Sequence, residues 1–105
     1  MPGLIIIRHN GEIERRPLDH VPTHTELHNA IGGYIELVPY WSHFPVDDKT
    51  VSRCAVFCDE HGKQRGKPLN VLATDYWHRL TRYTADYLVG DIVIVWGDQA
   101  FLRRL

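Results

Sequence analysis

The sequence lacks the long apolar runs of a membrane protein. Its longest runs, Leu4 to Ile7 and Ile92 to Trp96, have the length of strands, far below the roughly 18 residues that a membrane span needs. The opening residues Met1-Pro2-Gly3 carry no charged leader of the secretory type. The sequence therefore indicates a cytoplasmic protein without a membrane partner.

An excess of charge of either sign is also missing. Twelve Lys and Arg residues stand against thirteen Asp and Glu residues, which gives a net charge of −1 and a pI near 6.6. Proteins that coat nucleic acid normally carry a basic excess, because contacts with phosphate supply much of their affinity. The charge balance therefore disfavours a nucleic-acid partner, although a local basic patch is compatible with it.

Cysteine is scarce, with Cys54 and Cys58 alone in the chain. If they share a strand, their Cα atoms lie about 13 Å apart, because each residue rises ~3.3 Å. A disulfide requires Cα atoms within about 7 Å. We therefore expect two free thiols in the core, where free cysteine is commonly found, rather than a disulfide, metal or redox site.

The 105 residues are a usual length for one domain, and we predict a single domain over residues 1–105. A chain of this length buries roughly 65% of the surface that its unfolded form exposes. The hydrophobic fraction of 44% and the charged fraction of 24% are typical of globular proteins. The core can therefore form without metal or disulfide support, and the sequence predicts no cofactor.

An N-terminal hairpin is the first element that the pattern indicates. Leu4 to Ile7 is β-branched and apolar on both faces, as in a central strand. Asn10-Gly11 then favours a two-residue type I′ turn, which places Ile7 opposite Glu14. Pro17 ends the return strand and marks it as an edge strand.

Two helices and three further strands complete the predicted fold. The first helix covers residues 24 to 31 after a threonine cap, and the second runs from Asn70, its N-cap, to Tyr83. The side of the second helix predicted to face the core carries Leu69, Leu72, Ala73, Tyr76, Leu80 and Tyr83. Further strands are predicted at residues 34–38, 53–58 and 87–96.

This order of elements predicts an α+β protein. We expect a single small domain with a mostly antiparallel sheet of about five strands, an N-terminal hairpin and two helices packed on one face of the sheet.

Several motifs together resemble a known family. They are Gly32 to Pro39, Val56 to Asn70, Ala73-Thr74 and Gly90 to Gly97. Over roughly the whole chain they are similar to small proteins of bacteria, phages and plasmids grouped as domain of unknown function 3846. The resemblance implies a protein of mobile genetic elements and carries no activity over to this chain. The aromatic segment Tyr40 to Phe44 departs from the family pattern.

That aromatic segment is the first candidate site. Tyr40, Trp41 and Phe44 are either exposed anchors for a protein partner or a flap that closes an open end of the sheet. The leading hypothesis is a non-enzymatic binding protein with an anti-defence role, which acts by protein–protein contact on a host or defence component. The same rings could also serve a homodimer.

A second candidate is the turn before the second helix. Glycines and cations followed by a helix start are typical of anion sites, and Lys63, Arg65, Lys67 and Asn70 would bind an anionic metabolite or nucleotide. The alternative interpretation is a solvated turn.

A third candidate is the pair His24 and His28, spaced i, i+4 on the first helix. This spacing suits a metal and, through it, a metal-dependent hydrolase. No third ligand is evident, and the order differs from the His-Glu-x-x-His of metalloproteases. We therefore favour solvent-facing histidines and assign no catalytic residue.

Overall fold

The computed structural model describes residues 1–82 and 84–105, which form six strands and three helices. The strands are β1 (Gly3–Ile7), β2 (Ile13–Pro17), β3 (Ile35–Leu37), β4 (His43–Pro45), β5 (Val51–Asp59) and β6 (Ile92–Trp96), and the helices are α1 (His24–Ile31), α2 (Val71–Leu80) and α3 (Gln99–Leu102). The predicted α+β class is confirmed. The structure adds β4 and α3, which are too short for a hydrophobic period to reveal.

The sheet is antiparallel in every pairing that the described residues show. Its order is β2-β1-β6-β5-β3, and β4 also pairs with β5. All five residues of β1 are buried between β2 and β6, which confirms the predicted central strand. β2 lies at the edge and ends at Pro17, also as predicted.

The predicted register of the hairpin is wrong by one residue. Ile7 lies opposite Ile13, not Glu14. Gly11 has a positive φ of 92° and Asn10 does not, so the type I′ turn does not form. The connection is instead a three-residue loop with glycine in the left-handed position, closed by a hydrogen bond from the Arg8 amide to the Glu12 carbonyl.

The helices cover both faces of the sheet, whereas one covered face was expected. Ile5 belongs to the core that contains Trp77 of α2. Its neighbour Ile6 points to the other face and belongs to the core that contains Leu27 of α1. Strands that are apolar on both sides need cover on both sides, so the expectation of one helical layer conflicted with the sequence of β1 itself.

Helix α2 begins as predicted, and part of its predicted core side, Ala73 and Tyr76, does pack on the core. Asn70 caps it by accepting a hydrogen bond from the Ala73 amide. Trp77 is buried, while Leu72 and Leu80 remain 42% and 41% exposed. Burial of the large indole sets the rotation of the helix, because it removes the most apolar surface from water. The helix ends at Leu80, because Thr81 has an extended backbone with φ −144° and ψ 146°, so the predicted extension beyond Leu80 is wrong. Tyr83 itself lies outside the described residues.

The radius of gyration is 12.9 Å, close to the value of about 13 Å for a compact domain of this length. In the described part of the chain, no helix is long and apolar enough to cross a membrane.

Candidate functional site

The aromatic segment is mostly a core element. Trp41 and Phe44 are 3% and 7% exposed, and the ring of Tyr76 on α2 lies 5.3 and 5.1 Å from theirs. Because a small core gains much from each buried ring, the segment folds inward over the sheet. The two rings are therefore not exposed anchors, and the flap interpretation describes them. Tyr40, at 59% exposure, keeps its side chain at the surface.

The cations of the predicted anion site are paired with carboxylates. Lys67 lies 2.7 Å and Arg65 3.2 Å from Asp59, whose side chain is almost fully buried. Lys63 is hydrogen-bonded to Asp86. The positive charges are therefore neutralised within the protein instead of converging on an open pocket.

Asn70, the fourth residue of that prediction, is fully buried. Its side-chain amide donates to the carbonyls of Ile7 and Gly90, at 2.9 Å each, while its oxygen accepts from Ala73. Asn70 thus joins α2 to two strand ends, and no part of it is available to a ligand.

The histidine pair lies on the exposed side of α1. His24 and His28 are both exposed, and the ring of His28 lies 5.5 Å from that of Tyr34. Within residues 1–82 and 84–105, no group of three or more His, Cys, Asp or Glu is placed to hold a metal ion. Among these residues, His24 and His28 therefore lack the further ligands that a metal site would need.

A different site emerges where β3 and β5 meet α2 and residues 84–89. The structure has a cleft there with a volume of about 100 Å³. Its apolar floor contains Val38, Cys58, Trp77 and Leu88, and its rim carries Glu36, Glu60, Lys63, Asp86 and Tyr87. These residues come from four separate parts of the chain.

Hydrogen bonds hold the walls of the cleft in position. The indole of Trp77 donates to the Pro39 carbonyl at 2.7 Å, which ties α2 to the end of β3. The Leu88 amide donates to the Thr74 hydroxyl at 2.9 Å, which ties residues 84–89 to α2. Glu36 lies opposite Cys58 in the pairing of β3 with β5, so their side chains share one face.

The rim is acidic. Glu36, Glu60 and Asp86 stand against the ammonium group of Lys63, which leaves two negative charges in excess. That ammonium is bonded to Asp86 and lies 4.2 Å from the centre of the Tyr87 ring. The hydrogen bond from Lys63 is the main reason that the pKa of Asp86 lies below its usual value. The excess of carboxylates makes the rim complementary to a positive group.

Cys58 supplies a thiol to the floor, 3.9 Å from a carboxylate oxygen of Glu36. Burial raises the pKa of Cys58 to about 12, and the charges of Glu36 and Asp59 add to the effect. A thiol that stays protonated at neutral pH is a poor nucleophile. In this position it acts as part of the apolar floor, and the arrangement suits recognition of a group that combines an apolar stem with a positive end.

The sequence analysis predicted Lys63 as part of a site for an anion, whereas the cleft suits a cation. It missed Glu36, Asp86 and Tyr87. No local sequence motif identifies these three residues, because each lies 23 or more positions from Lys63. Asp86 and Tyr87 also lie in an irregular segment. The cleft exists only once β3, β5, α2 and residues 84–89 have packed together.

The family model described as Domain of unknown function (DUF3846) matches residues 3–101. The chain, an α+β protein with an acid-rimmed cleft, therefore belongs to that family, as the motifs from Gly32 to Gly97 predicted. No curated protein and no solved structure matches the chain.

Proposed function

We propose that this protein is a binding protein that contacts a partner protein through the surface around the cleft. The observation that carries the proposal is the exposure of three tyrosines, of which Tyr87 lines the cleft while Tyr34 and Tyr40 lie in the chain on either side of its lining residues Glu36 to Pro39. Tyr34, Tyr40 and Tyr87 are 67%, 59% and 47% exposed. Tyrosine is enriched among the residues that contribute most to protein interfaces, because its ring is large, rigid and amphipathic.

The size of the cleft also favours a protein partner. Sites for small molecules usually measure about 300–1,000 Å³, whereas this cleft measures about 100 Å³. It has room for one side chain and not for a nucleotide. The paired state of Arg65 and Lys67 further weakens the alternative of an anionic metabolite or nucleotide. Burial of Trp41 and Phe44 weakens a homodimer built on those rings.

The resemblance to proteins of phages and plasmids implies a partner from the host cell, such as a defence component. On this proposal the protein acts by covering the surface that the partner needs. The charged rim would orient the two proteins as they meet, since charge complementarity contributes more to orientation and association rate than to affinity.

Affinity capture with single variants tests the proposal. The immobilised wild type and the variants Tyr34→Ser, Tyr40→Ser and Tyr87→Ser would each be incubated with a bacterial host lysate, and the captured proteins quantified by mass spectrometry. Val51→Ser is the control, because Val51 is 65% exposed but lies about 23 Å along β5 from Cys58 in the cleft. Candidate partners would then be purified and titrated calorimetrically.

We expect a partner that the wild type and Val51→Ser retain and that the tyrosine variants lose by tenfold or more. Loss of the partner with Tyr40→Ser alone would indicate that the contact lies on the aromatic segment instead of the cleft. The proposal fails if purified candidates bind all variants equally, or if none binds the wild type.

A further inference from the structure

The geometry points to a cation subsite at the mouth of the cleft, formed by the Asp86 carboxylate and the Tyr87 ring. Lys63 fills this subsite in the free protein, and a basic side chain of the partner displaces it. This inference rests on the proposed function and names the chemistry by which the same surface recognises its partner.

The subsite has the two groups that bind ammonium ions in proteins. The Lys63 ammonium is hydrogen-bonded to Asp86 and lies 4.2 Å from the centre of the Tyr87 ring. Cations within about 6 Å of a ring centre are attracted by the negative face of the ring. Lys63 therefore shows which class of ligand these two groups accept.

Hydrogen bonds hold the Asp86 carboxylate and the backbone that carries the two receptor groups. The Tyr87 amide donates to the Asp86 carboxylate at 2.8 Å, and His78 lies 2.5 Å from the Asp86 carbonyl. The Asp86 amide in turn donates to the Thr84 hydroxyl at 3.0 Å. Lys63 reaches the subsite on a long, half-exposed side chain from a turn. An exposed pair of this kind contributes at most about 1 kcal/mol, so a second cation can replace Lys63 at small cost.

Charge complementarity selects a basic partner. Among the described residues, no cation forms an ion pair with Glu36 or Glu60, so the rim keeps negative charge after Lys63 has paired with Asp86. Behind the rim, Val38 and Trp77 offer an apolar surface for the stem of a lysine or arginine. A side chain of that class matches both the apolar lining and the charge of the cleft.

A competition experiment on the whole protein tests the inference. The probe is Nα-acetyl-lysine methylamide, and its neutral Nε-acetylated form is the matched control ligand. Binding would be followed by the amide NMR shifts of residues 84–89. We expect Lys63→Gln to bind the cationic probe about fivefold more tightly than the wild type, which corresponds to about 1 kcal/mol.

Two further variants separate displacement from a general charge effect. Lys49→Gln makes the same change of charge at an exposed position elsewhere, and we expect the wild-type affinity. Asp86→Asn removes the carboxylate, and we expect at least a fivefold loss of affinity in the Lys63→Gln background.

The inference is overturned if Lys63→Gln gains no more than Lys49→Gln, or if the neutral probe binds as well as the cationic one. If that happens while capture of a partner still depends on the tyrosines, the proposed function stands and the displacement of Lys63 alone is refuted. If the partner fails to depend on the tyrosines but Lys63→Gln binds the cationic probe as expected, the subsite stands and its proposed use is refuted.

Discussion

Lys67 forms an ion pair with Asp59 in which the carboxylate is nearly removed from water. Their Nζ and Oδ2 atoms lie 2.7 Å apart, and the Asp59 side chain is 1% exposed. The same ammonium donates to the Ile31 carbonyl at 3.0 Å, where a positive charge also favours the C-terminal end of α1. One pair thus joins the end of β5, the following turn and α1 beside the cleft.

Asp59→Asn should strongly destabilise the fold. Removal of one partner leaves the mostly buried Lys67 charge without its carboxylate, and breaking a buried pair in this way costs about 3 kcal/mol or more. Urea unfolding at pH 7 would measure the change in the free energy of unfolding. The control Asp75→Asn, at an exposed position of α2, should change it by no more than about 0.5 kcal/mol. Similar losses for the two variants would refute the role of the pair.

The contribution of Asp59 to the free energy of unfolding should decrease as the pH falls. Burial alone would raise its pKa, but hydrogen bonds from Lys67 and the His61 amide, with the charges of Lys67 and Arg65, lower the pKa below its usual value. A carboxylate with a lowered pKa stabilises the fold above its unfolded pKa of about 3.9, and this stability is lost as pH falls through the folded pKa.

Urea unfolding between pH 7 and pH 3 should therefore show the largest difference between wild type and Asp59→Asn above about pH 5, with a decrease below about pH 4. A difference that stays constant over this range would contradict the assignment.

Gly33→Ala should destabilise the protein through the same pair. A Cβ at Gly33 would overlap the Asp59 carboxylate, which Lys67 holds in place. We expect a loss of about 1–3 kcal/mol in urea unfolding. Gly66→Ala is the contrasting variant, because its φ of 69° strains the backbone while, among the described residues other than its chain neighbours, no atom lies within 4 Å of the new Cβ.

In the Asp59→Asn background, the Gly33→Ala loss should shrink, whereas the Gly66→Ala loss should add in full. Additivity at both glycines would show that Gly33 acts independently of Asp59.

The two buried tryptophans should differ in their response to loss of the indole N–H. Trp77 donates to the Pro39 carbonyl at 2.7 Å, whereas Trp41 Nε1 is buried without a hydrogen-bond partner among the described residues. Both Trp→Phe variants lose ring contacts, but only Trp77→Phe also removes a hydrogen bond. We expect Trp77→Phe to cost about 1 kcal/mol more in urea unfolding. An equal or larger cost for Trp41→Phe would contradict this.

Both thiols should be inert in the folded protein. Burial raises the pKa of Cys54 to about 12, as it does for Cys58. Reaction with a chromogenic disulfide reagent at pH 8 should therefore be slow, because it needs an accessible thiolate. In denaturing urea both thiols should react rapidly. A native thiol that reacts as fast as the unfolded ones would show that one cysteine is accessible.

Local sequence signals were sufficient to predict several features of the fold. The cap at Asn70, the edge position of Pro17 and the two-sided burial of β1 each follow from one residue type or a short run. The hairpin register failed because Asn10-Gly11 permits two loop lengths that differ by one residue. The predicted core side of α2 was right for Ala73 and Tyr76 and wrong for Leu72 and Leu80, because two apolar sides compete and packing favours the side with Trp77.

The sequence by itself determined the class of the fold, its caps and its family, because these depend on residues that act within a turn or a strand. The tertiary structure alone decided the pairing of charges and the cleft. The sequence around Lys63 does not distinguish a lysine that binds an anion from one that contacts Asp86 and Tyr87. Its role depends on groups that approach only when distant segments pack together.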